Sequence, residues 1–177
     1  MRWILDDMVF GDIARVVPPG AVSGWPNGEL LLADATARAA TLDDSGRRQA
    51  VLAATSSGTG APIITSFTIN VLGPAGTILY THLRTGTGGT ANLAEHESIA
   101  WALIDPLADS VLVTQDKLAA MLALAELGRG RVCHPYELWA HLLAQNYVTR
   151  QQFVDLMQAT GRRDRSIPER PWRLRHL

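Results

Sequence analysis

The chain is poor in cysteine, in lysine and in long apolar stretches. Its 177 residues include one cysteine, Cys133, so no disulfide can form within the chain. Such cysteine usage is typical of a reducing compartment. No apolar run approaches the ~20 residues that a membrane-spanning helix needs. The first residues, MRWILDD, carry two acids where a signal peptide would have a basic segment and an apolar core. We therefore expect a cytoplasmic protein that does not enter a membrane.

Net charge is also small. The chain has 16 basic residues (Lys and Arg) and 17 acidic ones, which gives −1 at pH 7, so no global field draws it toward nucleic acid or membrane. Lys117 is the only lysine, and six of the arginines lie in the last segment, GRRDRSIPERPWRLRHL. We describe residues 161–177 as an Arg-rich tail. It has two interpretations: a solvated terminus, or a surface that contacts RNA phosphates or an acidic partner.

Short apolar runs alternate with helical stretches along the chain. Strands are predicted over residues 2–5, 29–33, 63–71, 110–113 and 132–133. Helices are predicted over residues 36–42, 47–55, 92–105, 117–127, 135–145 and 149–160, with loops over residues 11–29 (apart from a short helix near 12–16) and 73–91. This order predicts an α/β fold: a three-layer α/β/α sandwich with a central parallel sheet, in a single domain over residues 1–160.

Several helix ends carry recognisable stop and start signals. Asn92 with Glu95 three residues later fits an N-cap with its capping partner. Thr149 with Gln152 repeats the pattern, and Val148 with Phe153 fits the accompanying hydrophobic staple. Gly128 and Gly161 are predicted to end the helices that precede them.

Acidic side chains stand where apolar runs end. They are Asp6 and Asp7 after the first strand, Asp34 after the second, Glu95 and Glu97 at the start of a helix, and Asp116, with Thr114, after the run SVLV. Ligands of open α/β sheets bind at the carboxyl ends of the strands. Carboxylates gathered there repel one another unless a cation lies among them, and Mg²⁺ and Mn²⁺ prefer such oxygen ligands. The acids therefore predict a divalent-metal site suited to phosphoryl chemistry.

Each acid also has a purely structural interpretation. Asp6 and Asp7 can be a polar pair at the turn after a strand. Glu95 can serve the capping role already described, and Asp116 can cap the helix that begins after it. Glu97 is more often a solvated charge at such a position. Only the joint occurrence of the acids, in this order, favours a shared site.

The segment from residue 95 to about 157 resembles the carboxyl half of the PIN-domain family. There the family has an acid before an alanine-rich helix, then an apolar strand that ends in Thr/Ser-x-Asp, and then a helix, a short strand and a final helical pair. The matching stretches are EHESIAWAL, SVLVTQDKLAAMLALAELG, RVCHPYELWAHLLAQNYVT and QQFVDLM. The opening WILDDMVF is similar to the family's first strand with its first Asp. The match covers about two thirds of the chain.

The resemblance implies a Mg²⁺- or Mn²⁺-dependent ribonuclease, often the toxin of a toxin–antitoxin pair. Asp6, Glu95 and Asp116 take the positions of the metal-site acids, and Thr114 that of a supporting hydroxyl. The implied partners are an RNA substrate, an antitoxin protein and a second copy of the chain in a homodimer. Asp7 and Glu97 are secondary candidates for the metal site.

One departure from the family concerns the helix after the second strand, where the family places a Glu. The expected region reads TARAATL and contains none, so Asp34 is the candidate to replace it. The departure favours a second hypothesis, a PIN-like protein without catalysis that binds RNA or a protein. A third, a phosphoacceptor receiver domain, rests on the acidic pair in ILDD. It lacks the expected Asp after the run ITSFTINV and the expected Lys after a late strand.

Other features of the sequence give weaker evidence about function. RTGTGGT lacks the GK[ST] ending of a phosphate-binding loop and is expected to be an ordinary loop. The five histidines show no metal-ligand spacing, although His96 is expected near the site because it follows Glu95. Cys133 is predicted to be buried and inert, and Trp101 and Trp139 are predicted to belong to the core.

Overall fold

A computed structural model describes residues 1–22, 24–25, 28–42, 46–56, 64–68, 73–85, 92–105 and 109–164. The described strands are β1 (Arg2–Leu5), β2 (Leu30–Ala33), β3 (Ile64–Phe67), β4 (Ser110–Val113) and β5 (Val132–Cys133). The described helices are α1 (Asp7–Val16), α2 (Pro19–Val22), α3 (Asp34–Thr41), α4 (Arg47–Ser56), α5 (Gly73–Arg84), α6 (Leu93–Ile104), α7 (Lys117–Leu127), α8 (Pro135–Ala144) and α9 (Arg150–Asp164), with a 3₁₀ turn at Arg129–Arg131.

The sheet is parallel throughout the described strands, and its order is β3-β2-β1-β4-β5. The chain runs outward from β1 through β2 to β3, and it then returns to the other side of β1 to form β4 and β5. The strand order therefore reverses between β1 and β4. These two strands pair in a register that places Leu5 beside Val113 at their carboxyl ends.

Each face of the sheet packs on its own layer of helices. On β1, Trp3 and Leu5 contribute to the layer that contains α1, α4, α8 and α9, while Ile4 contributes to the layer that contains α5, α6 and α7. The alternation follows from the two-residue period of a strand, and strands buried on both faces read as continuous apolar runs. The predicted three-layer α/β/α sandwich around a parallel sheet is thus confirmed.

Three sequence expectations about buried residues agree with the structure. Cys133 and Trp139 are fully buried. Trp101 is half-buried, and its ring lies 5.1 Å from that of Phe67 and beneath the Arg2 guanidinium at 5.0 Å. Among the residues that the structure describes, every helix is too short or too polar to cross a lipid bilayer.

The loop predicted over residues 73–91 is wrong for its first half, which forms α5. Gly73, Gly76 and two threonines, Thr77 and Thr81, lower the helix propensity of this segment, so composition alone favours a loop. Packing overrides it, because α5 lies against α6 and buries Leu83. Residues 86–91, including most of RTGTGGT, lie outside the described residues, as does the predicted break at residues 43–45.

The loop predicted over residues 11–29 is also partly wrong, because α1 begins at Asp7 and a short α2 follows it. Val9, Phe10 and Ile13 have no solvent exposure, and together they give α1 the apolar face that packs on the sheet. The sequence interpretation missed this face because Asp6 and Asp7 were interpreted as metal-site acids or a polar pair at a turn, and the Gly- and Pro-rich residues from 11 onward as a loop.

Helix capping was predicted with mixed success. The Thr149 amide donates to Gln152 Oε1 at 2.8 Å and the Gln152 amide to Thr149 Oγ1 at 3.2 Å, so the capping box is confirmed. In the described segment around residue 92, however, Asn92 has a φ of 55° and its side chain caps no amide of α6. The stop at Gly161 is wrong too: α9 continues to Asp164, into the expected tail, and Gly161 lets it approach Tyr136, whose hydroxyl would lie 3.3 Å from an added Cβ.

Candidate functional site

The candidate site lies where the strand order of the sheet reverses. Asp6 directly follows β1, Thr114 directly follows β4, and the Asp6 amide donates to the Val113 carbonyl at 3.1 Å. In open α/β sheets ligands bind in the crevice outside the carboxyl ends of the strands at this reversal. The fold therefore brings two of the predicted site residues to the position where such a sheet binds ligands.

Thr114 holds the Asp6 carboxylate in place. Its hydroxyl donates a hydrogen bond to Asp6 Oδ2 and accepts one from the Asp116 amide at 3.0 Å. The amide can only donate, so the hydroxyl proton is directed at Asp6. Thr114 has no solvent exposure and Asp6 is 8% exposed. The pair is therefore a fixed, buried element of the site.

Asp116 caps a helix, which is the structural interpretation that the sequence offered for it. Its Oδ1 accepts a hydrogen bond from the Ala119 amide at 2.8 Å and caps the amino end of α7. A carboxylate has two oxygens with several acceptor positions, so a cap engages only part of its capacity. Asp116 thus combines a helix cap with a place beside the other acids.

Four carboxylates share one electrostatic environment, and we call Asp6, Asp7, Glu95 and Asp116 the acidic cluster. Burial raises the pKa of Asp6 to about 6; the Thr114 hydrogen bond opposes this shift, while Glu95, Asp7 and Asp116 each add to it. Burial also raises the pKa of Glu95, its own backbone hydrogen bond opposes the shift, and Asp116 and Asp7 add to it. Like charges disfavour ionisation in this way only when they lie close together.

Asp34 and Glu97 belong to a second group beside α3. Glu97 Oε2 accepts a hydrogen bond from the Ala35 amide at 3.1 Å, and Asp34 forms an ion pair with Arg38. Burial raises the pKa of Glu97, the Ala35 hydrogen bond lowers it, and Asp34 raises it. The expectation that Glu97 is a solvated charge is therefore wrong. It is half-buried and supports the first turn of α3.

Arg48 is a member of the site region that the sequence did not reveal. Its Nη1 donates to Asp7 Oδ1 at 2.8 Å and its Nη2 to Asp7 Oδ2 at 3.4 Å, which makes a two-pronged ion pair between α4 and α1. Gly11 makes room for it, because an added Cβ would lie 2.6 Å from Arg48 Nη2. The two partners are 41 residues apart, and no local pattern connects them.

Two cavities adjoin the acidic cluster. The larger has a volume of about 170 Å³ and is lined by Asn92, Glu95, His96, Asp116, Leu118, Ala119 and Leu122. The smaller, of about 10 Å³, is lined by Leu5, Asp6, Ala94, Glu95, Ser98, Leu112, Thr114 and Ala119. Both are bounded by Glu95 and Ala119, and the smaller has room for about one water molecule. The acids therefore face space in which a solvated ligand can be held.

His96 lies in the wall of the larger cavity, as its position next to Glu95 led us to expect. It is 3% exposed, and Arg84 Nη1 lies 3.5 Å from its Nδ1. Burial lowers the pKa of His96, and the Arg84 charge lowers it further. The imidazole is therefore neutral at pH 7 and adds no positive charge to the pocket.

The donor chemistry of the acidic cluster fits Mg²⁺ or Mn²⁺. These ions take hard oxygen ligands, and a cation among the carboxylates would offset the repulsion that raises their pKa values. Within the described part of the chain, no three side chains of the metal-ligating types are arranged around one point. Mg²⁺ does not need such a cage, since it is usually held by one or two carboxylates and keeps several waters.

Fold and site together define an open parallel α/β protein with an acidic cluster at its topological reversal. Comparison of the chain with protein-family models, with curated proteins and with solved structures found no match.

Proposed function

We propose that this protein is a metal-dependent endoribonuclease of PIN type that cleaves RNA phosphodiesters. The observation that carries the proposal is the position of the buried Asp6, held by Thr114 where the sheet order reverses and beside a cavity that Glu95 also lines. Burial and three neighbouring carboxylates raise the pKa of Asp6 to about 6, as expected for acids held close to one another. Carboxylates kept in such a destabilised arrangement are a mark of functional sites. The resemblance of the chain to the PIN-domain family supplies the choice of RNA as the substrate.

In this proposal Asp6, Glu95 and Asp116 would hold Mg²⁺ or Mn²⁺, one or two of them directly and the rest through bound waters, and Thr114 fixes the orientation of Asp6. A bound cation supplies polarisation of the phosphodiester and a hydroxide nucleophile at neutral pH. The protein contributes by fixing the orientation of the carboxylates. Asp6 is locked by Thr114, and Asp116 is locked by its cap on α7. Glu95 borders both cavities, so it lies between the buried Asp6 and the open pocket.

The proposal extends to a role as the toxin of a toxin–antitoxin pair, again supported by the resemblance alone. Its partners would be an RNA substrate, an antitoxin protein and a second copy of the chain. In a cell such a nuclease acts in the cytoplasm, where its RNA substrates are.

The test is cleavage of labelled single-stranded RNA with Mn²⁺ or Mg²⁺ and with a chelator. We expect Asp6→Asn and Asp116→Asn to lower the rate at least ~100-fold, since even residues that only support metal ligands cost ~10–100-fold. Glu126→Gln is the matched control, because Glu126 is an exposed acid on α7. Equal rates in the wild type and both asparagine variants would exclude the site.

A second candidate is a PIN-like module that binds RNA or a protein without cleaving. The observation that favours it is the sequence of α3, DATARAAT, which contains no glutamate and whose Asp34 pairs with Arg38. RNA retained by the wild type without cleavage, under every metal condition, would support this function over the first.

A further inference from the structure

The larger cavity beside the acidic cluster has a buried imidazole in its wall. His96, on the first turn of α6, is 3% exposed and lines the cavity together with Glu95 and Asp116. The proposed metal chemistry assigns no role to this ring. A buried polar group needs hydrogen-bond partners, so each of the two ring nitrogens has to be accounted for.

Arg84 determines which ring nitrogen of His96 carries the proton. Arg84 Nη1 lies 3.5 Å from Nδ1, at the long end of hydrogen-bond distances. A guanidinium can only donate, and its positive charge favours a lone pair over an N–H on the nitrogen that faces it. Nδ1 therefore accepts, and the proton of the neutral imidazole lies on Nε2. A protonated Nε2 can donate a hydrogen bond, but it cannot bind a metal ion.

Nε2 is the ring nitrogen that remains open to a ligand. Within the described part of the chain, the contact with Arg84 is the one hydrogen bond of the His96 side chain. Nε2 is also not among the described polar atoms that are sealed from solvent without a partner. Because the rest of the ring is buried and the residue borders the cavity, the Nε2–H can reach an acceptor that lies in the cavity.

The amino ends of two helices meet at the same cavity. Asn92 and His96 border it at the start of α6, and Ala119 borders it at the start of α7. The amino end of a helix carries partial positive charge and favours an anion. Both helix ends and the Nε2–H therefore favour an acceptor with negative charge, whereas the carboxylates of the acidic cluster would repel it unless a cation lies between them.

We propose that His96 is a phosphate-binding residue, whose Nε2–H donates to a non-bridging oxygen of a phosphodiester in the larger cavity. The inference rests on the proposed ribonuclease function, because the cation that the carboxylates would hold is what allows an anion to approach them. A phosphodiester has two non-bridging oxygens, so one can face the cation while the other accepts from Nε2. Arg84 is a positioning residue, since it keeps the ring in this tautomer.

The test follows the ring nitrogens of His96 by NMR of the full-length protein with ¹⁵N-labelled histidine. In the free protein we expect the proton on Nε2 and none on Nδ1. Dimethyl phosphate, the simplest phosphodiester, is then titrated in the presence of Mg²⁺ and, separately, of a chelator. It should shift the Nε2 resonance with Mg²⁺ and leave it unchanged with the chelator. A proton on Nδ1, or an Nε2 resonance that dimethyl phosphate does not shift in the presence of Mg²⁺, would overturn the inference.

Variants separate phosphate binding from a purely structural role of the ring. His96→Phe keeps a buried ring and removes the Nε2–H, so dimethyl phosphate should bind at least ~10-fold more weakly, as for loss of a hydrogen bond to a charged group. His96→Gln places an amide N–H near the position of Nε2 and should recover part of the affinity. His82→Phe is the matched control, because His82 is exposed on α5 and does not line the cavity.

The metal response distinguishes a phosphate-binding residue from a metal ligand. Both variants of His96 should keep the rise in melting temperature that Mg²⁺ gives to the wild type, because a protonated Nε2 does not bind the cation. Affinity for dimethyl phosphate in the variants is read from the backbone amide resonances of the first turn of α6. Wild-type affinity in His96→Phe would show that the Nε2–H does not contact the phosphate.

The outcomes also separate this inference from the proposed activity. If dimethyl phosphate shifts the Nε2 resonance in the presence of Mg²⁺ but the protein cleaves no RNA, the phosphate contact is supported and only the nuclease proposal fails. If the protein cleaves RNA at the same rate in the wild type and in His96→Phe, and dimethyl phosphate leaves Nε2 unchanged, the nuclease stands and the phosphate contact is wrong.

Discussion

The hydroxyl of Thr114 donates a hydrogen bond to Oδ2 of Asp6, and this bond joins the carboxyl ends of β4 and β1. The Thr114 amide in turn donates to the Cys133 carbonyl at 3.2 Å, so the same residue extends the sheet toward β5. Thr114 therefore connects three neighbouring strands at the edge where the acids gather. Loss of the Thr114 hydroxyl should therefore lower the stability of the fold and change the position of the Asp6 carboxylate.

Replacement of Thr114 by valine keeps the shape and removes the hydroxyl. We expect Thr114→Val to lower the free energy of unfolding by about 1–3 kcal/mol, because Asp6 loses a donor and the Asp116 amide loses an acceptor in a buried setting. Thr114→Ser keeps the hydroxyl and is the control, with a smaller loss. Urea denaturation measures both. Wild-type stability of Thr114→Val would mean that the hydrogen bond contributes nothing.

The pKa of Asp6 predicts an unusual dependence of stability on pH. The pKa is 3.8 in an unfolded chain and about 6 in the fold, so between these values the native state binds more protons than the unfolded state. The contribution of Asp6 to stability is therefore fully present below about pH 4 and is lost as the pH rises toward 6. It amounts to roughly 3 kcal/mol for a shift of about two units.

Asp6→Asn removes this dependence. Asparagine is neutral at every pH and still accepts from Thr114, so we expect the variant to be more stable than the wild type at pH 7 and to approach it near pH 4. Thermal unfolding followed by circular dichroism from pH 4 to 8, without divalent cations, measures the difference. A difference in melting temperature that does not grow with pH would show that Asp6 is not destabilised by its charge.

The elements that could be predicted from the sequence are those with clear local signals. Helix α7 was predicted to the residue, because Asp116 begins it and Gly128, with φ of 80°, ends it. Helix α5 was missed because its glycines and threonines favour a loop, and only its contact with α6 makes it helical. Capping and periodicity are local and visible in a sequence, whereas packing between distant segments is not.

The candidate site also has features that local sequence signals predict and features that depend on contacts between distant segments. Asp6 and Asp116 could be identified from the strand ends they follow, but their proximity depends on the pairing of β1 with β4, which are separated by more than 100 residues. The ion pair of Arg48 with Asp7 left no trace in the sequence. Glu97 was interpreted as solvated because its partner, the Ala35 amide, belongs to a different helix.

Glu97 gives a prediction that distinguishes a capping acid from a metal ligand. We expect Glu97→Ala to cost about 1 kcal/mol of stability, since the Ala35 amide loses its acceptor, and Glu97→Gln to cost less because the amide oxygen can still accept. Neither variant should change the stabilisation that saturating Mn²⁺ gives to the wild type, measured as a shift in melting temperature. A Glu97→Gln variant that no longer responds to Mn²⁺ would move Glu97 into the metal site.

The contact between Gly11 and Arg48 gives a prediction about the other side of the acidic cluster. Alanine at position 11 should favour α1 by up to ~1 kcal/mol through helix propensity. Its Cβ would also displace the Arg48 guanidinium from Asp7. That ion pair is partly exposed and is worth about 0.5–1 kcal/mol, so in the wild-type background the two effects nearly cancel.

A double-mutant cycle separates the gain in helix propensity from the loss of the ion pair. In an Arg48→Ala background the guanidinium is gone, so Gly11→Ala should stabilise the protein by up to ~1 kcal/mol, whereas in the wild type it should change stability little. The coupling energy, about 0.5–1 kcal/mol, is read from urea denaturation of the four proteins. If Gly11→Ala has the same effect in both backgrounds, the side chain of Arg48 does not occupy the space above Gly11 in solution, and its ion pair with Asp7 does not constrain α1 against α4.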